Sequence, residues 1–179
     1  MHFIGLDLAW GELKPTGVAV IESTADGGRL VYAGAATDDD SIRAALAPYV
    51  RGDCVVGIDA PLIVTNPTGQ RPAERQLNAD FARFQAGAHP TNTGKPEFSG
   101  TPRGARIAAA LGLDIAPDSA ASRRAVEVYP HAAAVALFRL GRTLKYKAKP
   151  GRTTTGLRAE LLRLMEHIEE LAQATPVLR

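Results

Sequence analysis

Three acidic residues stand out by type and setting. Asp7 lies in the run Phe3-Ile4-Gly5-Leu6-Asp7-Leu8-Ala9, Asp59 in Val55-Val56-Gly57-Ile58-Asp59-Ala60-Pro61, and Glu127 in Ala125-Val126-Glu127-Val128-Tyr129, just ahead of Pro130 and His131. In the first two runs a glycine stands two residues before the aspartate. Side chains of a strand alternate faces, so Gly5 shares a face with Asp7 and Gly57 with Asp59, leaving open space beside each carboxylate. A carboxylate in a buried strand loses several kcal/mol of hydration unless a cation or hydrogen bonds replace the water. A divalent metal meets that need for two acids in one sheet. Magnesium takes oxygen ligands and keeps several waters, so Asp7, Asp59 and Glu127 with phosphate oxygens could hold Mg2+ or Mn2+ without cysteine or histidine. Two such ions, roughly 4 Å apart, support phosphodiester hydrolysis by activating the attacking water and stabilising the departing oxygen.

Each residue also has a plainer use. An aspartate at a strand end can bond a turn backbone. Glu127 can pair with Arg75 or Arg124. His131 can be a hydrogen-bonding group at a helix start or, beside the acids, can orient a water as a catalytic base. His89 is a loop residue, and Trp10 either packs or stacks a base just beyond Asp7. The segment from Arg139 to Arg152 carries six lysines and arginines and no acid. Within it Lys145, Lys147, Lys149 and Arg152, with Tyr146 among them, form either a solvated loop or a track for a phosphate backbone. Arg71, Arg75, Arg103 and Arg106 could form an opposite wall.

The elements that must position these groups are legible from periodicity. A first strand around Asp7 is followed by a turn over 10–15, a strand from Thr16 to Ser23, the hairpin signal Asp26-Gly27-Gly28, and a strand from Leu30 to Ala36. Asp38, Asp39, Asp40 and Ser41 supply the cap and acidic first turn of a helix through Ala44, Leu46 and Val50. Cys54 to Asp59 forms the fourth strand, ended by Pro61. The stretch 64–104 reads as an insertion over the site, with a helical piece from Ala73 to about Gln85 and a further helix from about Thr101 to Leu113. Ala125 to Tyr129 is the fifth strand, and Pro130 opens a helix over His131 to Leu140. Leu157, Leu161, Leu164, Met165, Ile168 and Leu171 give the last helix an apolar stripe. A meander followed by alternating helices and strands predicts an α/β fold with a mixed five-stranded sheet. If the first and fourth strands are neighbours, Asp7 and Asp59 meet.

The whole sets the bounds. A chain of 179 residues, 45% hydrophobic and 22% charged, suits one domain over 1–179 and argues against disorder. The lone cysteine, Cys54, excludes an internal disulfide and a cysteine zinc cluster. A formal charge of +2 does not by itself imply nucleic acid. No apolar run approaches the roughly 20 residues of a spanning helix, and no export signal precedes the first strand, so a cytoplasmic protein without membrane attachment is expected.

Gly5-Leu6-Asp7-Leu8-Ala9-Trp10-Gly11, Gly57-Ile58-Asp59-Ala60-Pro61-Leu62 and Glu127-Val128-Tyr129-Pro130-His131, in this order, resemble the bacterial and archaeal family catalogued as domain of unknown function 429, described as predicted nucleases of ribonuclease H-like fold. Asn66-Pro67-Thr68-Gly69, Arg75, His89-Pro90-Thr91-Asn92-Thr93 and Leu144-Lys145-Tyr146-Lys147 look like it too. The resemblance implies a ribonuclease H-like domain, a three-stranded antiparallel meander plus parallel strands. Catalytic Asp7, Asp59, Glu127 and His131, a Mg2+ or Mn2+ cofactor, and contacts to nucleic acid from Trp10, Arg75, His89, Asn92, Lys145, Lys147 and Arg152 go with it. Family members continue into a further acidic helix that completes the metal cluster, whereas this sequence ends at Thr175-Pro176-Val177-Leu178-Arg179. One tight ion site and an uncovered apolar groove, hence a homodimer, are the corresponding expectations. A metal-dependent nuclease leads, ahead of a catalytically impaired nucleic-acid-binding module and a nucleotide-dependent phosphotransferase of actin and sugar-kinase type.

Overall fold

Alternation decides the first strand. Ile4 and Leu6 of β1 (His2–Asp7) are buried while Phe3, Gly5 and Asp7 face the other way. The computed structural model describes residues 1–9 and 14–174 with their side chains and 177–178 by backbone. Trp10 and most of the expected turn after β1 lie outside the described residues. Strands β2 (Thr16–Thr24) and β3 (Gly27–Ala36) follow as an antiparallel meander, with Thr24 paired to Gly27 across the hairpin. Asp38 caps α1 (Asp39–Leu46), its side chain accepting from the Ser41 N–H at 2.7 Å while the Ser41 hydroxyl accepts from the Asp38 N–H at 3.1 Å.

The chain then returns as β4 (Cys54–Ile58), parallel to β1. After it come α2 (Pro72–Phe81), single 3-10 turns at Ala82–Phe84 and Pro96–Phe98, and α3 (Arg103–Ala110). Strand β5 (Arg123–Glu127) pairs parallel with β4 and starts two residues before the expected Ala125. Helices α4 (Pro130–Leu137) and α5 (Thr154–Glu170) complete the succession, with β6 (Val177–Leu178) beyond them. The sheet order is β5-β4-β1-β2-β3-β6. The expected five-stranded mixed sheet flanked by helices is therefore present, and β6 adds two residues alongside Gly27 and Gly28 on its outer edge.

Two apolar clusters hold these pieces. Beneath one face of the sheet, Ile4, Leu6, Val18, Val20, Val56 and Ile58 pack against Ile42 and Leu46 of α1 and Ile107 and Ala108 of α3. Each such large side chain contributes about 1.5–3 kcal/mol on full burial, which makes this cluster the main anchor of the strands. Cys54 is buried within it, and burial pushes its thiol up, as suits an inert core residue. The second cluster joins Ala86 of the insertion to Val135 of α4, Leu140 and Leu144, with Phe81, Phe84, Phe138 and Leu164 around them. It ties the insertion, α4 and α5 together at one side of the strands. The apolar stripe of α5 is only partly used, since Leu161, Met165 and Ile168 are 45–49% exposed.

Candidate functional site

The register of β1 and β4 brings the two aspartates together. Gly5 pairs with Gly57 and Leu6 with Ile58, and the Asp59 N–H donates to the Leu6 carbonyl at 2.9 Å, so Asp7 and Asp59 leave adjacent parallel strands at the same level. The Asp59 carboxyl is pushed up to about 6, first by burial and then by the Asp7 carboxylate beside it, with Lys147 pulling the other way. Lys147 reaches Asp7 directly, Nζ to Oδ2 at 3.5 Å. The expected space beside the acids is real on one strand and filled on the other. A Cβ at Gly5 would meet nothing within 4 Å, whereas one at Gly57 would stand 3.2 Å from Cγ1 of Val128.

Glu127 has a different job from the one its spacing suggested. Arg71 grips its carboxylate at both oxygens, Nη2 to Oε1 at 2.6 Å and Nη1 to Oε2 at 2.8 Å, and the Leu62 N–H donates to Oε2 at 3.0 Å. The arginine is neither Arg75 nor Arg124. Arg71 also donates from Nε to Glu74 at 2.8 Å, and the buried Glu74 accepts from the Thr91 N–H at 3.1 Å and from the Thr91 hydroxyl. Burial alone would raise the Glu74 carboxyl, yet the Thr91 and Arg71 donors outweigh it and hold the group below the usual carboxylate range. This chain of charge-assisted bonds pins the insertion to the end of β5. Among the described residues, no group of three or more acids, histidines or cysteines is gathered closely enough to hold an ion. Asp7 and Asp59 stand side by side, whereas Glu127 is held by Arg71.

His131 sits at the start of α4 with Nδ1 3.0 Å from the hydroxyl of Thr143. Burial, together with Lys147 and Lys149, pulls its pKa down, so the ring is neutral at pH 7. Tyr129 and Tyr146 flank the ring, at centroid distances of 5.7 and 6.4 Å.

A cavity of about 730 Å3 opens from Asp59 between the insertion and the segment that follows α4. Of the residues singled out from the sequence, Asp59, Glu127, His131, His89, Lys145, Lys147 and Arg152 line it, and Asp7 does not. Arg75 and Asn92 do not: Arg75 is spent on the Gln70 carbonyl at 2.8 Å and Asn92 on the Gly69 carbonyl at 3.1 Å, both holding the insertion's own turns. Arg103 is likewise a scaffold residue, bonded to Asp39 and the Ala9 carbonyl. Sequence reasoning missed Glu74, Thr91 and Thr143 as site residues, and gave Arg71 only a general place in a basic wall. The run Arg71-Pro72-Ala73-Glu74 did carry a signal, because proline at the first helical position with glutamate two further on marks a helix start.

The basic segment is held as a strap. Glu160 of α5 accepts both Arg142 guanidinium nitrogens, at 2.9 and 2.8 Å, and the Lys145 N–H at 2.7 Å, which keeps its carboxyl down at about 2. Arg152 closes the far end, donating to the Lys147 carbonyl at 2.8 Å.

A family model described as protein of unknown function (DUF429) matches residues 5–178, a span that contains all three acids, the insertion and the strap. The chain belongs to the DUF429 family. No curated protein and no solved structure matches it. In this DUF429 chain Asp59, His131 and the cationic strap line one cavity, with Asp7 on the neighbouring strand, while the Glu127–Arg71 pair ties the cavity to the insertion. Among the described residues no helix is long and apolar enough to cross a membrane.

Proposed function

We propose that this chain is a metal-dependent phosphodiesterase of nuclease type, with Asp7 and Asp59 holding Mg2+ or Mn2+ and the strap taking the phosphates of a nucleic acid. The observation that carries the reading is the aspartate pair, two carboxylates at one level of a parallel ladder beside a cavity walled by cations. Its donor set of hard oxygens fits one such ion, since the like charge that raises Asp59 is what a divalent cation would neutralise. A three-carboxylate cluster would require Glu127 to share or give up the Arg71 fork that engages both of its oxygens. The bound ion would supply Lewis acidity for phosphodiester hydrolysis. Lys147 and Lys145 would orient the scissile phosphate as point charges, and His131, fixed at Nδ1 by Thr143, would hold or accept a proton at Nε2. The ribonuclease H-like fold implied by the family resemblance accords with the order of a meander followed by two parallel strands.

The test is cleavage of labelled single-stranded and structured nucleic acid with Mg2+ or Mn2+ by the purified protein. Activity that disappears in Asp7→Asn supports the reading, and equal cleavage by that variant ends it. A second reading, a binding module without catalysis, draws on Glu127 being held by Arg71 and on Lys147 standing beside Asp7. It predicts nucleic-acid binding that falls steeply with salt and ignores metal.

A further inference from the structure

The shape of the cavity says more about the substrate than its charge does. Its two walls come from different parts of the chain: Ala73 and Leu77 of α2 with Ala88 and His89 on one side, and Leu144 to Arg152 on the other. Both walls are fastened rather than loose, the first by the Arg71–Glu74–Thr91 chain and the second by Glu160. The volume of about 730 Å3 falls in the range of pockets that enclose small ligands. A volume of this order suits a nucleotide with its flanking phosphates and not a duplex, whose major groove alone is about 12 Å wide.

The wall chemistry is divided in the way one nucleotide is. Lys145, Lys149 and Arg152 have no ion pair with a carboxylate among the described residues, so their charge is available to phosphates. Leu77, Ala88 and Val128 offer apolar surface in the same cavity for the face of a base. We infer that the cavity receives a single unpaired nucleotide together with its flanking phosphates, so that the substrate is a nucleic-acid strand at a free end or in an unpaired loop. The inference rests on the phosphodiesterase reading for its chemistry. It stands on the cavity for its selectivity.

The experiment compares fluorescently labelled oligonucleotides by anisotropy and by cleavage in Mn2+: a twelve-residue single strand, the blunt duplex of the same sequence, and ATP as a free nucleotide. The single strand should bind at least tenfold more tightly than either of the others. Leu77→Trp, which fills the cavity, should remove that preference with the melting temperature retained, and the exposed Lys149→Glu should weaken single-strand binding severalfold. Duplex bound or cleaved as well as the single strand overturns the inference while leaving the phosphodiesterase reading intact. ATP bound as tightly as the oligonucleotide overturns it in favour of a free-nucleotide site. Preferential single-strand binding with no cleavage under any divalent metal upholds the inference and removes the hydrolytic reading.

Discussion

Arg71 and Glu127 form a two-bond ion pair, with 2.6 and 2.8 Å contacts, that joins the base of the insertion to the last residue of β5. The arginine side chain is 13% exposed and bridges Glu127 to Glu74, so removing it leaves the 4%-exposed Glu74 carboxylate without its cation. Arg71→Lys keeps the charge but not the fork, and should cost about 2 kcal/mol in chemical denaturation. Glu127→Gln should destabilise comparably and leave the thermal shift caused by Mn2+ unchanged. Loss of that shift in Glu127→Gln would make Glu127 an ion ligand after all.

Asp59 gives the opposite pattern. Its folded-state pKa, about 6, lies above the ordinary 3.8, so the folded protein holds this proton more tightly than the unfolded chain does. Its contribution to metal-free stability is therefore complete below pH 4 and is lost as pH rises through 6. Relative to wild type, Asp59→Asn should gain about 1–2 kcal/mol at pH 7.5 and little or nothing at pH 4, as read by denaturant titration without metal. Asp7→Asn should likewise leave metal-free stability equal or raised. Both variants should lose stabilisation by Mn2+, and in the wild type that stabilisation should set in as pH rises past 6.

Lys147 sits where an incoming cation and an incoming phosphate want different things. At 3.5 Å from the Asp7 carboxylate it repels a divalent ion and attracts an anion. Lys147→Met should tighten Mn2+ binding severalfold by calorimetry and weaken oligonucleotide binding, with a shallower dependence on salt. Parallel changes of both affinities in one direction would contradict this division.

Glu160 fastens the strap from a distance. With its carboxyl held at about 2 by Arg142 and the Lys145 N–H, its stabilisation is present above pH 4.5 and is lost as pH falls toward 2. Glu160→Gln should lower the melting temperature at pH 7 by about 2–4 °C and raise protease cleavage between Arg142 and Arg152. Unchanged protection of the strap would show that the second apolar cluster holds it unaided.

How much of this was legible beforehand follows the kind of interaction involved. Strand alternation and the glycine-aspartate spacing located β1 and β4, and the capping acids located α1, because those signals are local. The meeting of Asp7 and Asp59 needed one further step, the adjacency of two strands, which the topology of a meander with a parallel return supplies. Glu127 had two readings because an acid at a strand end looks the same whether a metal or an arginine awaits it, and the arginine that holds it is one the sequence did not single out for it. Its partner lies 56 positions away in sequence, in a helix-start arginine that no periodicity marks. Arg75, expected as a partner for Glu127 or a contact to nucleic acid, instead donates to the Gln70 carbonyl and does not line the cavity. By type and spacing Glu160 does not differ from an acid left to solvent. Arg142 and the Lys145 N–H draw it into contact instead.

The aspartates are spaced by a ladder of main-chain bonds, and a ladder cannot breathe as a loop can. No hinge could part Asp7 from Asp59 without tearing β1 from β4, so their closeness is a permanent fixture and not something that comes and goes with a working cycle. Whatever timing this protein has must reside in the traffic around that fixed pair, in the strap and the insertion that stand on either side of it.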